Sequence, residues 1–156
     1  MDKLNRFRQA QDATHGGYAA ALRELQAGEK TSHWIWYVFP QLAGLGRSST
    51  AVYYGLAGVD EAAAYLRDPV LGERLIAAAA AARAHLAGGR PVRLAELMGS
   101  DIDALKLVSS MTLFAHVAKA DAEPRGAAMA AHADAILAAA AAQGYARCAY
   151  TEAQLR

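Results

Sequence analysis

Aromatic residues are concentrated in one stretch of the sequence. Both tryptophans, Trp34 and Trp36, and five of the ten other aromatic residues lie between positions 34 and 65. Trp and Tyr carry a large apolar ring with a polar edge that needs a partner, so such a concentration forms either a wall on which a planar ligand stacks or an ordinary core cluster. With Gln41, which follows in the same stretch, the two tryptophans are candidate ligand-binding residues.

A glycine- and serine-rich stretch, Gly-Leu-Gly-Arg-Ser-Ser-Thr at residues 44–50, precedes a predicted helix. Backbone N–H groups at a helix start, hydroxyl groups and an arginine together favour an anion. The stretch lacks the Gly-Lys-Ser/Thr ending of a P-loop and does not follow a strand, as a dinucleotide-binding glycine motif would. It therefore predicts either an anion site involving Gly46, Arg47 and Ser48 or a loop that only caps the next helix.

A third group of polar residues lies in an otherwise apolar segment, residues 101–120. Few positions around the predicted helix are polar, so we expect the helix to be buried on most sides. Its buried hydroxyl groups, such as those of Ser109 and Thr112, can bond to preceding carbonyls of the same helix. The ammonium group of Lys106, by contrast, needs a carboxylate, an anion or water near a core helix. Lys106, Ser110 and Thr112 are also candidate ligand-binding residues.

The candidates for catalysis are His33, Lys106 and Ser110. His33 is either a general acid or base or a structural histidine. A Ser–His–Asp triad from Ser110, His33 and Asp101 can be drawn, but no nucleophile elbow supports it. The five histidines show neither an HExxH motif nor metal-ligand spacing, so the sequence predicts no metal and no cofactor. Whether the protein is an enzyme stays open.

Helix start and stop residues along the chain define the elements that must position these side chains. Asp2 is expected to cap a first helix to about residue 13, and Gly28 to end a second helix that begins at Tyr18. Thr31 or Ser32 is expected to cap a short helix over residues 33–39. Further helices are predicted over residues 49–57, 61–67, 69–87, 91–98, 101–120 and 124–143, followed by a tail at 145–150 that can be extended and one more turn. The pattern predicts an all-α, multi-helix single domain over residues 1–156, with at most a minor extended segment.

Composition excludes several classes of protein. The chain has 156 residues with 16 basic and 15 acidic side chains, and a net charge of +1 argues against a nucleic-acid platform. The one cysteine, Cys148, excludes an internal disulfide framework and a Cys-rich zinc site. A charged amino terminus and short apolar runs predict a cytoplasmic protein with no secretory signal and no membrane partner. The oligomeric state is not predicted.

Three ordered motifs carry a resemblance to a known family. The first is Ser32-His33-Trp34-Ile35-Trp36-Tyr37-Val38-Phe39-Pro40-Gln41 with Gly44-Leu45-Gly46 and Ser48. The second combines Glu61-Ala62, Ala64-Tyr65-Leu66, Pro69, Leu71-Gly72 and Arg74-Leu75, and the third is Asp101 with Lys106 and Ser109-Ser110-Met111-Thr112-Leu113-Phe114. Over residues 3–120 the chain resembles the bacterial family catalogued as domain of unknown function 1810.

The resemblance implies a compact, mainly α-helical fold and no established activity. Members of the family are often labelled calpastatin, but calpain-inhibitor repeats are disordered, whereas this sequence has core-forming helices throughout. Residues 121–156 depart from the usual family ending, because an Ala-rich helix and a tail containing Tyr150-Thr151-Glu152 stand there.

Three interpretations of the motifs are left open. The first is a binding or catalytic cleft for an anionic, ring-bearing metabolite such as a nucleotide or a ribosyl derivative. The second is a protein-interaction or regulatory module that uses an aromatic surface patch, and the third is that the motifs only specify packing. Because polar groups in apolar segments need partners, the first interpretation predicts that six residues gather around one cavity: His33, Trp36, Gln41, Ser48, Lys106 and Ser110.

Overall fold

A computed structural model describes residues 2–156. It is 66% helical, and within those residues ten helices follow one another: α1 (Asn5–Gln11), α2 (Tyr18–Ala27), α3 (Ile35–Val38), α4 (Ser49–Tyr54), α5 (Val59–Arg67), α6 (Pro69–Leu86), α7 (Leu94–Met98), α8 (Asp101–Lys119), α9 (Pro124–Ala142) and α10 (Ala149–Gln154). The same residues contain no strand, so the predicted all-α fold is confirmed. Residue 1 of the predicted domain lies outside the described residues. None of the helices over residues 2–156 has the length and apolar character needed to cross a membrane.

Helix α8 lies at the centre of the hydrophobic core. Twelve of its residues are buried, on all sides of the helix. It packs most extensively against α9, and α9 in turn packs against α6. The many alanines of α6 and α9 let these helices approach closely, because the distance between packed helices depends on the side chains at the contact. Only the amino-terminal part of α8 reaches the surface with large apolar residues, where Ile102 is 67% and Leu105 50% exposed.

Local capping chemistry sets several of the helix boundaries. Asp68 accepts hydrogen bonds from two backbone N–H groups in the first turn of α6, where Pro69 begins the helix. Ser100 caps α8 in the same way. Gly28 ends α2 and Gly99 ends α7, both with a positive φ that residues with a Cβ rarely adopt. These boundaries agree with the sequence predictions.

Two predicted caps are wrong. Asp2 accepts from the backbone N–H of Leu4 at 2.9 Å, in the turn before α1, so the helix begins only at Asn5. Neither Thr31 nor Ser32 caps α3, because the helix begins only at Ile35 with Trp34 as its N-cap, and the Ser32 hydroxyl donates to Glu24 instead. Helix α3 is consequently a single turn, shorter than the predicted helix over 33–39.

Three further predictions differ from the structure near the ends of helices. Helix α5 begins at Val59, two residues before the start of the predicted helix over 61–67, and has no side-chain cap. Helix α10 begins at Ala149, so the last two residues of the stretch expected to be extended are helical. Helix α4 ends at Tyr54, three residues before the predicted end, where the chain turns back to pair with an earlier segment.

Backbone pairing of this segment with the earlier one brings together the two ends of residues 43–55, which we call the 43–55 loop. The one β-bridge among the described residues joins Leu42 and Leu56 in parallel. Ala43 N donates to Leu56 O at 2.8 Å, and Leu56 N donates to Gln41 O at 2.9 Å. Leu42 is 5% exposed and Leu56 is fully buried, so both ends of the loop are anchored in the core. Helix α4 lies within the loop and packs against α3.

Candidate functional site

A narrow cleft lies where α3, the 43–55 loop and α8 meet. Its lining is mostly aromatic and apolar with two polar residues: Ile35, Trp36, Phe39, Gln41, Ala51, Tyr54, Gly55 and Lys106. The cavity has a volume of about 10 Å³, which is room for about one water molecule. The cleft is therefore closed, and it brings together three of the predicted site residues: Trp36, Gln41 and Lys106.

Lys106 places a positive charge on the wall of the cleft. Its Nζ lies 5.0 Å from the centroid of the Trp36 ring, which is cation–π distance. The side chain is 22% exposed, and the nearest carboxylate oxygen, Asp103 Oδ1, lies 3.8 Å away on the preceding turn of α8. At that distance the two groups attract each other but do not form a short hydrogen bond.

Asp103 is held by a second lysine, which sequence reasoning did not single out. Lys30 Nζ lies 2.8 Å from Asp103 Oδ2, with the Lys30 side chain only 5% exposed. The same ammonium group donates to the backbone carbonyl of Ser32 at 2.6 Å. Two ammonium groups therefore share one carboxylate, and the trio carries a net charge of +1, with Lys106 as the less tightly paired member.

Two polar atoms of the predicted site are buried without a hydrogen-bond partner in residues 2–156. They are the indole N–H of Trp36 and the hydroxyl of Ser110. Ser110 lies one helical turn after Lys106, on the same face of α8, but it does not line the cleft. A buried polar group without a partner costs free energy, so most native structures satisfy such groups, and strain, a functional role or a bound water or ion explains the exceptions.

Trp34 and His33 lie outside the cleft. Trp34 is fully buried, and its indole N–H donates to Glu24 Oε1 at 2.9 Å. Its ring lies against Phe39 in the core, with ring centroids 6.1 Å apart. His33 has an exposed side chain, and its backbone carbonyl accepts from the Tyr37 hydroxyl at 3.0 Å. The structure thus gives Trp34 a packing position and leaves His33 on the surface.

Glu24 organises the segment that precedes α3. Its carboxylate accepts from the backbone N–H groups of Thr31 and Ser32, from the Ser32 hydroxyl and from the Trp34 indole. Burial raises the pKa of Glu24, but its hydrogen bonds lower the pKa by more than burial raises it, so the pKa falls to about 2. Glu24 therefore fixes the backbone that leads to Trp36. No local pattern predicts this role, because the partners lie beyond Gly28.

The glycine- and serine-rich loop has a capping function in this structure. Ser48 Oγ accepts from the backbone N–H of Ala51 at 3.1 Å, which makes Ser48 the N-cap of α4. Gly46 lies so close to Ala51 that a Cβ on it would collide with the Ala51 side chain. Arg47 is exposed. None of the three lines the cleft, although Gly46 is close to the side chain of Gln41.

Thr112 points to a different part of the molecule. Its hydroxyl donates to Val108 O at 2.7 Å and accepts from the backbone N–H of Cys148 at 3.2 Å. Thr112 thus ties α8 to the carboxy-terminal tail and lines a separate surface depression with His116 and Lys119. Within residues 2–156, no group of three or more His, Cys, Asp or Glu side chains is placed to hold a metal ion.

Comparison with known proteins identifies the family. The family described as "Protein of unknown function (DUF1810)" matches residues 1–145. The crystal structure of the conserved hypothetical protein Rv1873 from Mycobacterium tuberculosis is similar, with 41% sequence identity and a TM-score of 0.67 over 82% of this chain and 84% of that chain. Comparison with curated proteins finds no match. The predicted resemblance is confirmed, and the chain belongs to the family of proteins of unknown function DUF1810.

Proposed function

We propose that the protein binds an anionic, ring-bearing small molecule in the cleft between α3, the 43–55 loop and α8. The observation that carries this proposal is the position of Lys106 over the ring of Trp36, beside a carboxylate that Lys30 already holds. A nucleotide or a ribosyl derivative has the required combination of a planar ring, hydroxyl groups and an anionic group.

The positive charge beside the cleft supports the binding of an anion. A lysine near the core needs a counter-charge or access to water, and Asp103 is shared between Lys30 and Lys106. An anionic group beside Lys106 would supply the missing negative charge. In a partly buried site such a charge-assisted contact is stronger than the same contact in bulk water.

The lining of the cleft supports a planar ring with hydrogen-bonding groups. Ile35, Phe39 and Tyr54 provide apolar and aromatic surface beside Trp36. Ligand sites are commonly mostly apolar, with a few polar groups that fix orientation. The unpartnered indole N–H of Trp36 is such a group, and an oxygen atom of a ribose or a phosphate would accept a hydrogen bond from it.

A thermal-shift screen of nucleotides, dinucleotides and sugar phosphates tests the proposal. A ligand that binds only the native state at 100 times its Kd stabilises it by about 2.7 kcal/mol, which for a domain of this size raises Tm by about 5–10 °C. The shift is expected to disappear in Lys106→Ala and Trp36→Ala and to persist in Lys119→Ala, which removes an exposed lysine at the other end of α8. No shift with any compound, or equal shifts in all variants, would contradict the proposal.

The second candidate function is a protein-interaction module. Large apolar side chains are exposed on α4, where Val52 and Tyr53 are 62% and 58% exposed, and at the amino-terminal end of α8, where Ile102 and Leu105 are 67% and 50% exposed. Interaction sites often expose apolar side chains of this size. A binding partner whose affinity falls in Ile102→Asp but not in Lys106→Ala would favour this function over the ligand site.

A further inference from the structure

We propose that the 43–55 loop is a lid over the cleft, which opens about the Leu42–Leu56 bridge, and that Arg6 is the latch that holds it closed. The kind of molecule that the lid admits rests on the proposed function. The motion of the loop rests on its packing alone.

The loop has a fixed base and a body whose helix contains no buried residue. Its base is held by the two backbone hydrogen bonds around the bridge and by the buried side chains of Leu42 and Leu56. None of the six residues of α4 is buried, and the ring of Tyr54 contacts the rings of Phe7 and Tyr37 at centroid distances of 5.8 and 5.2 Å. Compact loops whose ends lie close together are frequently functional. Elements with few buried apolar contacts open locally at the lowest free energy.

The cleft is too small for the proposed ligand while the loop is closed. Its volume of about 10 Å³ compares with roughly 300–1,000 Å³ for sites that hold drug-sized molecules. One wall consists of Ala51, Tyr54 and Gly55 from the loop, and the opposite wall comes from α3 and α8. Since α8 is the centre of the core, the loop is the wall that can move.

Arg6 joins α1 to the end of the loop. Its Nε donates to Tyr53 O at 2.9 Å, and its Nη2 donates to Gly55 O at 3.1 Å. Glu61 holds the same guanidinium group at 3.2 Å and also accepts from the backbone N–H of Ala57 at 2.9 Å. Both lid contacts use backbone carbonyls at the carboxy-terminal end of α4, so Arg6 restrains the loop without placing its own side chain in the lining of the cleft.

Hydrogen–deuterium exchange of the ligand-free protein, read by mass spectrometry, tests the lid. We expect the amides of α4 to exchange by local opening, faster than those of α8, while the Ala43 and Leu56 amides at the base stay protected. Arg6→Ala is expected to speed exchange in the loop by about ten- to a hundredfold, because two hydrogen bonds from a charged group are lost. Arg6→Lys, which retains the charge but not the forked geometry, should give a smaller increase.

Arg8→Ala is the matched control. Arg8 lies on the same helix and pairs with Asp2 and Asp68 rather than with the loop. The Arg8→Ala variant should leave the exchange rates of the loop amides unchanged relative to those of the other amides in the chain. The lid is contradicted if the loop exchanges only together with α8, or if Arg6→Ala and Arg8→Ala speed exchange equally throughout the chain. No ligand is present in this measurement, so a failed ligand screen does not alter its outcome.

Discussion

Lys106 and Trp36 form one unit, in which the ammonium group lies 5.0 Å from the ring centroid while the indole N–H has no hydrogen-bond partner in residues 2–156. The pair therefore offers a positive charge on the face of the ring and a free donor at its edge. The two residues are seventy positions apart in the sequence, and the packing of α3 against α8 brings them together.

Ser110→Ala is expected to raise the free energy of unfolding. The buried hydroxyl has no partner in the described residues and does not line the cleft. Removing it therefore relieves a desolvation cost of about 1 kcal/mol. Chemical denaturation measures the gain. A variant less stable than the wild type would contradict the absence of a partner for this hydroxyl.

Glu24→Gln is expected to remove a pH-dependent part of the stability. The pKa of Glu24 falls from 4.5 to about 2 in the folded state, so its ionised form stabilises the fold above pH 4.5, and this contribution is lost as the pH falls from about 4.5 towards 2. The variant should lose about 1–3 kcal/mol at pH 7, and its difference from the wild type should shrink on acidification. Denaturant titrations at several pH values measure this, with Glu29→Gln, at an exposed position, as the control. A difference that is constant with pH would disprove the assignment.

Gly46→Ala is expected to displace α4, because the added Cβ collides with the Ala51 side chain. Ala51→Gly removes the collision but costs about 1 kcal/mol as a glycine within a helix. In a double-mutant cycle the two changes should therefore be coupled by about 1–2 kcal/mol, with the double variant more stable than the sum of the single effects predicts. Additive effects would show that Gly46 and Ala51 are not in close contact.

Local sequence chemistry predicted much of the fold. The predicted starts of α6 at residue 69 and of α8 at residue 101, and the predicted end of α2 at Gly28, each depend on capping by neighbours within a few residues. The predictions failed where a residue distant in the sequence supplied the hydrogen-bond partner. Thr31 and Ser32 are good capping residues, but Glu24 accepts from their backbone N–H groups and from the Ser32 hydroxyl, and α3 begins only at Ile35.

The candidate site was less predictable, because its members differ only in distant contacts. Trp34 and Trp36 are equivalent by residue type, yet one donates to Glu24 in the core and the other lines the cleft. Lys30 looks like a solvated charge in the sequence, and its partner Asp103 lies seventy-three positions later. Such pairings are set by the packing of whole helices and leave no local pattern.

Lys30→Met is expected to weaken anion binding although Lys30 does not line the cleft. Asp103 then has only Lys106 as a partner, at 3.8 Å on the same helix, so the net charge of the group falls from +1 to zero. Adding Asp103→Asn restores the +1 charge and leaves Lys106 unpaired, so affinity should recover. Titration of the three proteins with the same ligand measures this. An affinity that does not recover in the double variant would show that Lys30 acts through the fold rather than through charge.

The most direct test of the binding site is calorimetric titration of the best compound from the screen into the wild type, Lys106→Met and Lys119→Met. Both lysines lie on α8, and Lys119 pairs with Asp134 on the surface at 3.2 Å. Loss of a charge-assisted contact should raise Kd by about ten- to a hundredfold in Lys106→Met, while Lys119→Met should bind as the wild type does. Equal Kd values for all three proteins would contradict an anion site at Lys106.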